Sequence, residues 1–429
     1  MVNVILKNGR LIDPATGSDE TVDIFVKNGR FEKIGKSVSA SGDVEVIDLK
    51  GKVVAPGFID MHVHLREPGF EHKETILTGC QSAAAGGFTA VCCMPNTNPA
   101  IDDASVIRFI QEKGKAALSG LVDIYPVAAV TKERKGETLA PMAELSEAGA
   151  IAFSDDGDPV HDSEIMRRAL EYANMFKKPI IQHAQEMSMT RGGVMNEGFV
   201  STGLGLPGMP GVAEDIVVAR DIFLVDYTKT QYHVAHMSTA GCAELVRGAK
   251  KRKIRVTCEV TPHHFVLTDE KVRGYDTNTK MNPPLRTRDD VEAMKEGLRD
   301  GTIDVIATDH APHSYDDKQV EYQHAPFGIV GLETAIGLAV TDLVVKKTIS
   351  VHQLIEKFSN NPRRILHLPD ILIQEGEEAN LTIFDPICEW VVDPKKFKSK
   401  SKNTPFGGFR LTGKPIGIIN NNQAYWSLD

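Results

Sequence analysis

The sequence predicts an α/β protein: a (β/α)8 TIM-like barrel over residues 56–367, carrying a small β-sandwich built from both termini, residues 1–55 and 368–429. Three observations predict it. Eight short β-rich runs alternate with helical stretches over about 300 residues, the size and rhythm of such a barrel. Both ends of the chain instead alternate apolar and polar residues in short runs divided by turns, as antiparallel strands do. His and Asp residues close five of the eight runs, where a barrel gathers its chemistry.

At the N-terminus the alternating runs are residues 2–10, 22–36 and 44–56, the second folded at Asn28-Gly29, a hairpin signal. Near the C-terminus, residues 379–386, 389–392 and 415–426 have the same character, with Asn420 to Asn422 forming an unusually polar turn. The eight barrel runs end near His64, Pro95, Val130, Asp156, Ala184, Met237, Pro262 and His310. After the fourth, Asp162 or Ser163 caps a helical pattern whose Ile165, Leu170 and Ala173 share one side. A doubly wound sheet has the same alternation, and the repeat alone does not show closure.

Composition narrows the function. The 429 residues are 41% apolar and 25% charged, ordinary for a globular chain with a sizeable core. The net charge of −9, with no basic run set apart from it, argues against nucleic acid or an anionic membrane and for a small-molecule substrate. Six cysteines without CxxC spacing read as buried reduced thiols, and no stretch is apolar enough to span a membrane, so the expected address is the cytoplasm.

His62 and His64 lie two apart on the first run, so a strand turns both to one side, where they can chelate one ion. With Asp155, Asp156, His183, His236 and Asp309 on the same rim, the ligand count exceeds one tetrahedral zinc and suits two ions sharing a carboxylate and a solvent molecule. The simplest arrangement puts His62, His64 and Asp309 on one ion, His183 and His236 on the other, and one aspartate between them. Alternation sends Asp155 and Asp156 to opposite faces, so only one bridges, and periodicity does not choose between them. Arg66, four residues past His62, can face the same cavity and hold a carboxylate through two parallel hydrogen bonds.

Five motifs in order carry a resemblance: His62-Val63-His64-Leu65-Arg66-Glu67-Pro68-Gly69, Met94-Pro95-Asn96-Thr97, Ser154-Asp155-Asp156-Gly157, Met281-Asn282-Pro283-Pro284-Leu285-Arg286 and Thr308-Asp309-His310-Ala311-Pro312-His313. Together they resemble the dihydroorotase family, in the bacterial class I branch of the amidohydrolase superfamily, along essentially the whole chain. Glu67 stands where Asp is expected to be common in the family. The resemblance implies reversible cyclisation of N-carbamoyl-L-aspartate to L-dihydroorotate in pyrimidine synthesis, and two Zn2+ per subunit. It implies Asp156 as the bridge, in place of the carboxylated lysine of many relatives, with Lys132 a solvated loop residue. It also implies that Arg66, Asn96 and His313 form the substrate-carboxylate site, which His64 adjoins, that Asn282 contacts the ring, and that the backbone of Phe327 and Gly328 reads a ring amide. Cobalt or manganese would suit the same ligands, so zinc rests on availability and resemblance. A homo-oligomer and an aspartate transcarbamoylase join the partners to be considered.

The implied chemistry is attack of a metal-activated water on the ring carbonyl, with Asp309 as the base that takes the proton and returns it to the leaving nitrogen. Two other readings are weighed: a hydantoinase or allantoinase, which gives no reason for Arg66 and Asn96 to converge, and an inactive subunit supporting aspartate transcarbamoylase, against which the intact ligand set argues. Other features read blandly. Gly203 to Gly208 fits GxGxxG but follows no strand, and residues 185–212 form a rim loop. His263 and His264 are packing or loop residues; His72, His161, His233, His324, His352 and His367 are structural or exposed. Residues 314–325 read as a mobile lid.

Overall fold

The alternating runs of the middle of the chain form strands Phe58–Val63, Phe88–Cys93, Asp123–Ala128, Ala152–Phe153, Ile180–Gln182, Tyr232–Val234, Val256–Val260 and Val305–Ile306 in a computed structural model that describes residues 1–40 and 44–427. They pair in chain order, each parallel to the next. The cylinder closes just past its ends, where the amide of His64 donates to the carbonyl of His310 at 2.8 Å and Val63 bridges His310. The first and second strands are buried throughout, as strands covered on both faces must be.

Alternation sorts the side chains. Ala90, Cys92, Ala152, Ile181 and Val305 pack inside the cylinder, while Val91, Phe153 and Ile180 face the surrounding helices. Carried two residues at a time past the strand ends, the inward set runs from Ile181 to His183, from Ala307 to Asp309 and from Ala152 through Ser154 to Asp156. The first strand follows a different rule: its pairing shifts register between Asp60 and Val63, Met61 belongs to the interior and Val63 to the outer layer, and His62 and His64 reach the rim. The helix after the fourth strand, Ser163–Met175, is capped by Asp162, whose carboxylate accepts from the amides of Glu164 and Ile165.

The termini build one mostly antiparallel sheet. Val53–Pro56 pairs parallel with Asn3–Asp13 on one side and antiparallel with Leu381–Val391 on the other, which ties the two ends together. Asn28 and Gly29 take left-handed conformations (φ 50° and 73°), as a two-residue hairpin turn requires. The polar turn has a related geometry: Asn421 and Asn422 are left-handed, and the Asn420 amide reaches the barrel to donate to the carbonyls of Thr89 and Leu121. Phe384 and Ile418 join the outer core of the barrel, so the sheet and cylinder share packing.

Two expectations need adjustment. Cys388 is partly exposed; the other cysteines are buried thiols. Residues 185–212 are more than a loop: they hold the short helices Met187–Thr190 and Phe199–Leu204 and the paired strands Met195–Asn196 and Gly208–Met209. Gly205 ends a helix as its left-handed cap. Residues 314–325 are fastened from below, since the buried Lys318 ammonium donates to the carbonyls of Thr277 and Pro326. Among the described residues no helix is long and apolar enough to cross a membrane.

Candidate active site

Each ligand candidate, and Arg66 and Asn96 with them, leaves a strand end by one to three positions, except His62, which lies within the first strand; Asn282, His313, Phe327 and Gly328 come from the longer connections. Backbone strain marks the rim: Arg66, His236 and Asp309 have φ of 63°, 30° and 49°, a region that side-chain-bearing residues rarely occupy and that clusters at functional sites. Every residue singled out above as ligand or substrate contact, His62 and Asp155 excepted, lines one cavity of about 330 Å³. His62 sits directly behind it, fully buried.

Asp156 is the hub. Its Oδ1 lies 3.3 Å from His62 Nε2, 3.3 Å from His236 Nε2 and 3.7 Å from His183 Nδ1, and its Oδ2 lies 3.5 Å from His64 Nε2. Two groups with metal-ligand spacing result, His62, His64 and Asp156 on one side and Asp156, His183 and His236 on the other. Asp309 stands on the first side, its Oδ1 3.0 Å from His64 Nε2 and 3.7 Å from His62 Nε2. Asp155 turns away, as alternation demands, and accepts from the amides of Val130 and Thr131. Lys132 is exposed.

Each inward nitrogen is set by what its ring does outward. His62 Nδ1 donates to Glu259 Oε1 at 2.7 Å, His64 Nδ1 to Asn96 Oδ1 at 2.8 Å, and His183 Nε2 to Gln185 Oε1 at 2.9 Å. A proton on the outward nitrogen leaves a lone pair on the inward one, the form in which imidazole binds a metal. His236 differs: its Nδ1 is buried without a hydrogen-bond partner. Glu259 carries no signal in the sequence, because only the fold brings the seventh strand beneath His62; Gln185, two residues past His183, reads in the sequence as an ordinary polar loop residue. Glu259 also accepts from His233, which explains that buried histidine.

The electrostatics call for cations. Burial alone would raise the Asp156 carboxyl, but His62, His183 and His236 outweigh it and hold it well below the usual range. Asp309 is lowered against burial by His64 and His62, and Glu259 by His233 and His62. Three buried, ionised carboxylates among imidazoles whose inward nitrogens converge, with His62 Nε2 left without a hydrogen-bond partner, fit a pair of divalent ions in charge and donor chemistry.

The opposite wall is built for an anion. Arg66 is partly buried, its Nε donates to the carbonyl of Pro312 at 3.1 Å, and desolvation draws its pKa down only to about 10, so it remains a cation. His313 is kept neutral by burial and by the charges of Arg66, Lys318 and Lys73, and its Nε2 donates to the carbonyl of Phe327 at 2.7 Å. Asn282 donates to Gln185 Oε1 at 2.7 Å, which ties the ring-contact candidate to the His183 shell. His264 bonds Thr261 and the carbonyl of Pro283, a loop role. His263 is buried near the cluster, and burial lowers its pKa to about 4.

Known proteins were compared with this arrangement. The family model "Dihydro-orotase-like" matches residues 51–241. A dihydroorotase of Pelotomaculum thermopropionicum is 53% identical over 418 residues, covering 97% of each chain. One from Geotalea daltonii is 52% identical over 100% of both. Among solved structures, the L-hydantoinase of Arthrobacter aurescens superposes with a TM-score of 0.84 at 24% identity, over 99% of this chain and 96% of that one. The dihydropyrimidinase of Brevibacillus agri gives 0.82 at 19%, over 99% and 95%. At such identities the structural likeness speaks for the fold alone.

Proposed function

The chain belongs to the dihydroorotase family of cyclic amide hydrolases, and from that premise we propose that it interconverts N-carbamoyl-L-aspartate and L-dihydroorotate at the rim cavity, with two zinc ions held by His62, His64, Asp156, His183, His236 and Asp309. The main support for the site is one juxtaposition: a carboxylate shared by two imidazole groups on one wall, and a partly buried guanidinium beside a neutral imidazole on the other, in a cavity with room for a small ring. The hydantoinase likeness is confined to 24% identity or less, whereas the dihydroorotase likeness runs the full length at about half identity, so dihydroorotate is the preferred ring.

When bound, such ions lower the pKa of a shared water toward neutrality and polarise a carbonyl oxygen. The protein supplies the rest. Arg66, Asn96 and His313 grip the substrate carboxylate, the guanidinium by its paired N–H donors and the imidazole by turning its single N–H from the Phe327 carbonyl to the substrate. Asn282 and the backbone of Phe327 and Gly328 hold the ring amide in the plane of attack. Asp309 accepts the proton of the attacking water and delivers it to the ring nitrogen as the C–N bond breaks; in the cyclising direction it takes the proton from the carbamoyl nitrogen. His64, anchored by Asn96, places its Nε2 3.0 Å from Asp309 Oδ1, where the two would share one ion. We further take residues 1–55 with 368–429 and residues 56–367 as the two structural units, and the cytoplasm, suited to free thiols, as the location.

An assay of metal-replete protein with dihydroorotate and with hydantoin tests this. Turnover of dihydroorotate in preference to hydantoin is expected. Hydantoin turnover alone, or no turnover of either, overturns it.

A further inference from the structure

We propose that Asn403, carried by a strap of the terminal sheet, is a positioning residue of the substrate pocket: it fixes His313 and Gly328 where they meet the substrate. The inference rests on the pocket reading given above, and adds to it a residue from outside the barrel. The strap, residues 398–404, joins the sheet strands Leu381–Val391 and Arg410–Asn420 but leaves the sheet to cross the rim.

Its anchorage is strong for a connecting segment. Glu333 accepts from the amides of Lys398 and Ser399 at 2.8 and 3.0 Å, and Glu74, fully buried, accepts from the amide of Lys400 at 3.0 Å and from the Ser399 hydroxyl. Glu74 also faces His310 Nε2 at 3.3 Å, beside Asp309 in the chain. The Ser401 hydroxyl donates to the carbonyl of Lys73 at 2.6 Å. These bonds fix the approach of Asn403, which is itself buried.

The Asn403 amide then makes three of its four possible hydrogen bonds. Its Oδ1 accepts from the amide of His313 at 3.1 Å, and its Nδ2 donates to the carbonyls of Ala311 at 3.2 Å and Gly328 at 3.1 Å. Its own carbonyl accepts from the amide of Val330 at 2.9 Å. One side chain thus joins the segment after the eighth strand to the segment bearing Phe327 and Gly328. The two approach so closely that a Cβ on Gly328 (φ 120°) would stand 2.6 Å from Ala311 Cβ. His313 is held at both ends, by Asn403 at its backbone and by the Phe327 carbonyl at its ring. Asn403 is no part of the ligand cluster and does not itself line the cavity; its side chain bonds only residues that do, so its loss acts on substrate grip and leaves the reacting atoms in place.

Steady-state kinetics of Asn403→Ala and Asn403→Asp in the full-length, metal-loaded protein test this. The Asp variant keeps the acceptor for His313 but turns an oxygen toward two carbonyls, and it serves if the Ala variant does not fold. KM for dihydroorotate should rise about tenfold or more, the equivalent of one lost hydrogen bond, with kcat within about threefold and metal content unchanged. Combined with His313→Ala, either variant should add less than it costs alone, because one of the two contacts it supports is already gone. If His313→Ala raises KM and the Asn403 variants do not, or if they lower kcat at constant KM, the proposal falls alone. If His313→Ala leaves KM unchanged, the pocket reading falls and takes the proposal with it.

Discussion

Glu259 Oε1 lies 2.7 Å from His62 Nδ1, and both groups are fully shielded from solvent. The carboxylate fixes which ring nitrogen of His62 carries the proton, and so aims the lone pair of Nε2 at Asp156. Glu259→Gln can still accept a hydrogen bond but loses the charge that makes the imidazole a better donor to metal. Zinc affinity, measured by competition with a chelator, should fall about 10- to 100-fold, the range for such outer partners. Unchanged affinity would remove Glu259 from the site.

Asp309 should separate metal retention from chemistry. Four imidazoles and Asp156 remain in Asp309→Ala, so elemental analysis should still find metal while dihydroorotate turnover is abolished. Near-normal activity would refute its role as proton carrier.

Arg66 tests geometry against charge. Arg66→Lys keeps a cation in the wall but loses the planar fork that matches a carboxylate, so KM should rise by about tenfold or more while kcat changes less. Equal kinetics would mean that a point charge suffices.

Lys318 predicts a pH effect on stability. Burial, reinforced by Lys280, lowers its pKa to about 7, against 10.5 for a free lysine. Between those values the unfolded chain binds the proton and the folded chain releases it, so raising the pH favours folding; below about 7 both states are charged and the penalty is fully felt. The stability of the native chain minus that of Lys318→Met should therefore rise from pH 7 toward 10.5, at no more than about 1.4 kcal/mol per pH unit. Denaturant melts of both proteins at several pH values measure it, and a flat difference contradicts it.

Much of this was legible in the sequence because barrel chemistry concentrates at strand ends, and His183, His236 and Asp309 stood there visibly. The choice of Asp156 over Asp155 was not legible from periodicity, since Ile151 and Phe153 are as apolar as Ala152 and either phase of the strand would bury a plausible set. The register shift at Asp60 to Val63 was equally silent, although the HxH spacing is insensitive to it. Glu259 and Asn403 escaped because each acts on a partner far away in the chain, and Gln185, though only two residues past His183, escaped because an isolated polar residue looks the same on a solvated surface as under an active site. The helices and paired strands within residues 185–212 are each too short for a periodicity to show.

The central claim is that one carboxylate, Asp156, joins two imidazole groups into a paired metal centre. Titrating zinc into chelator-treated protein while following dihydroorotate turnover tests it most directly. The account predicts that activity is negligible without metal and climbs to a plateau at two equivalents per chain, and that Asp156→Ala abolishes both the plateau and the stoichiometry. Full activity without metal, or a plateau at two equivalents that survives the loss of Asp156, would contradict it.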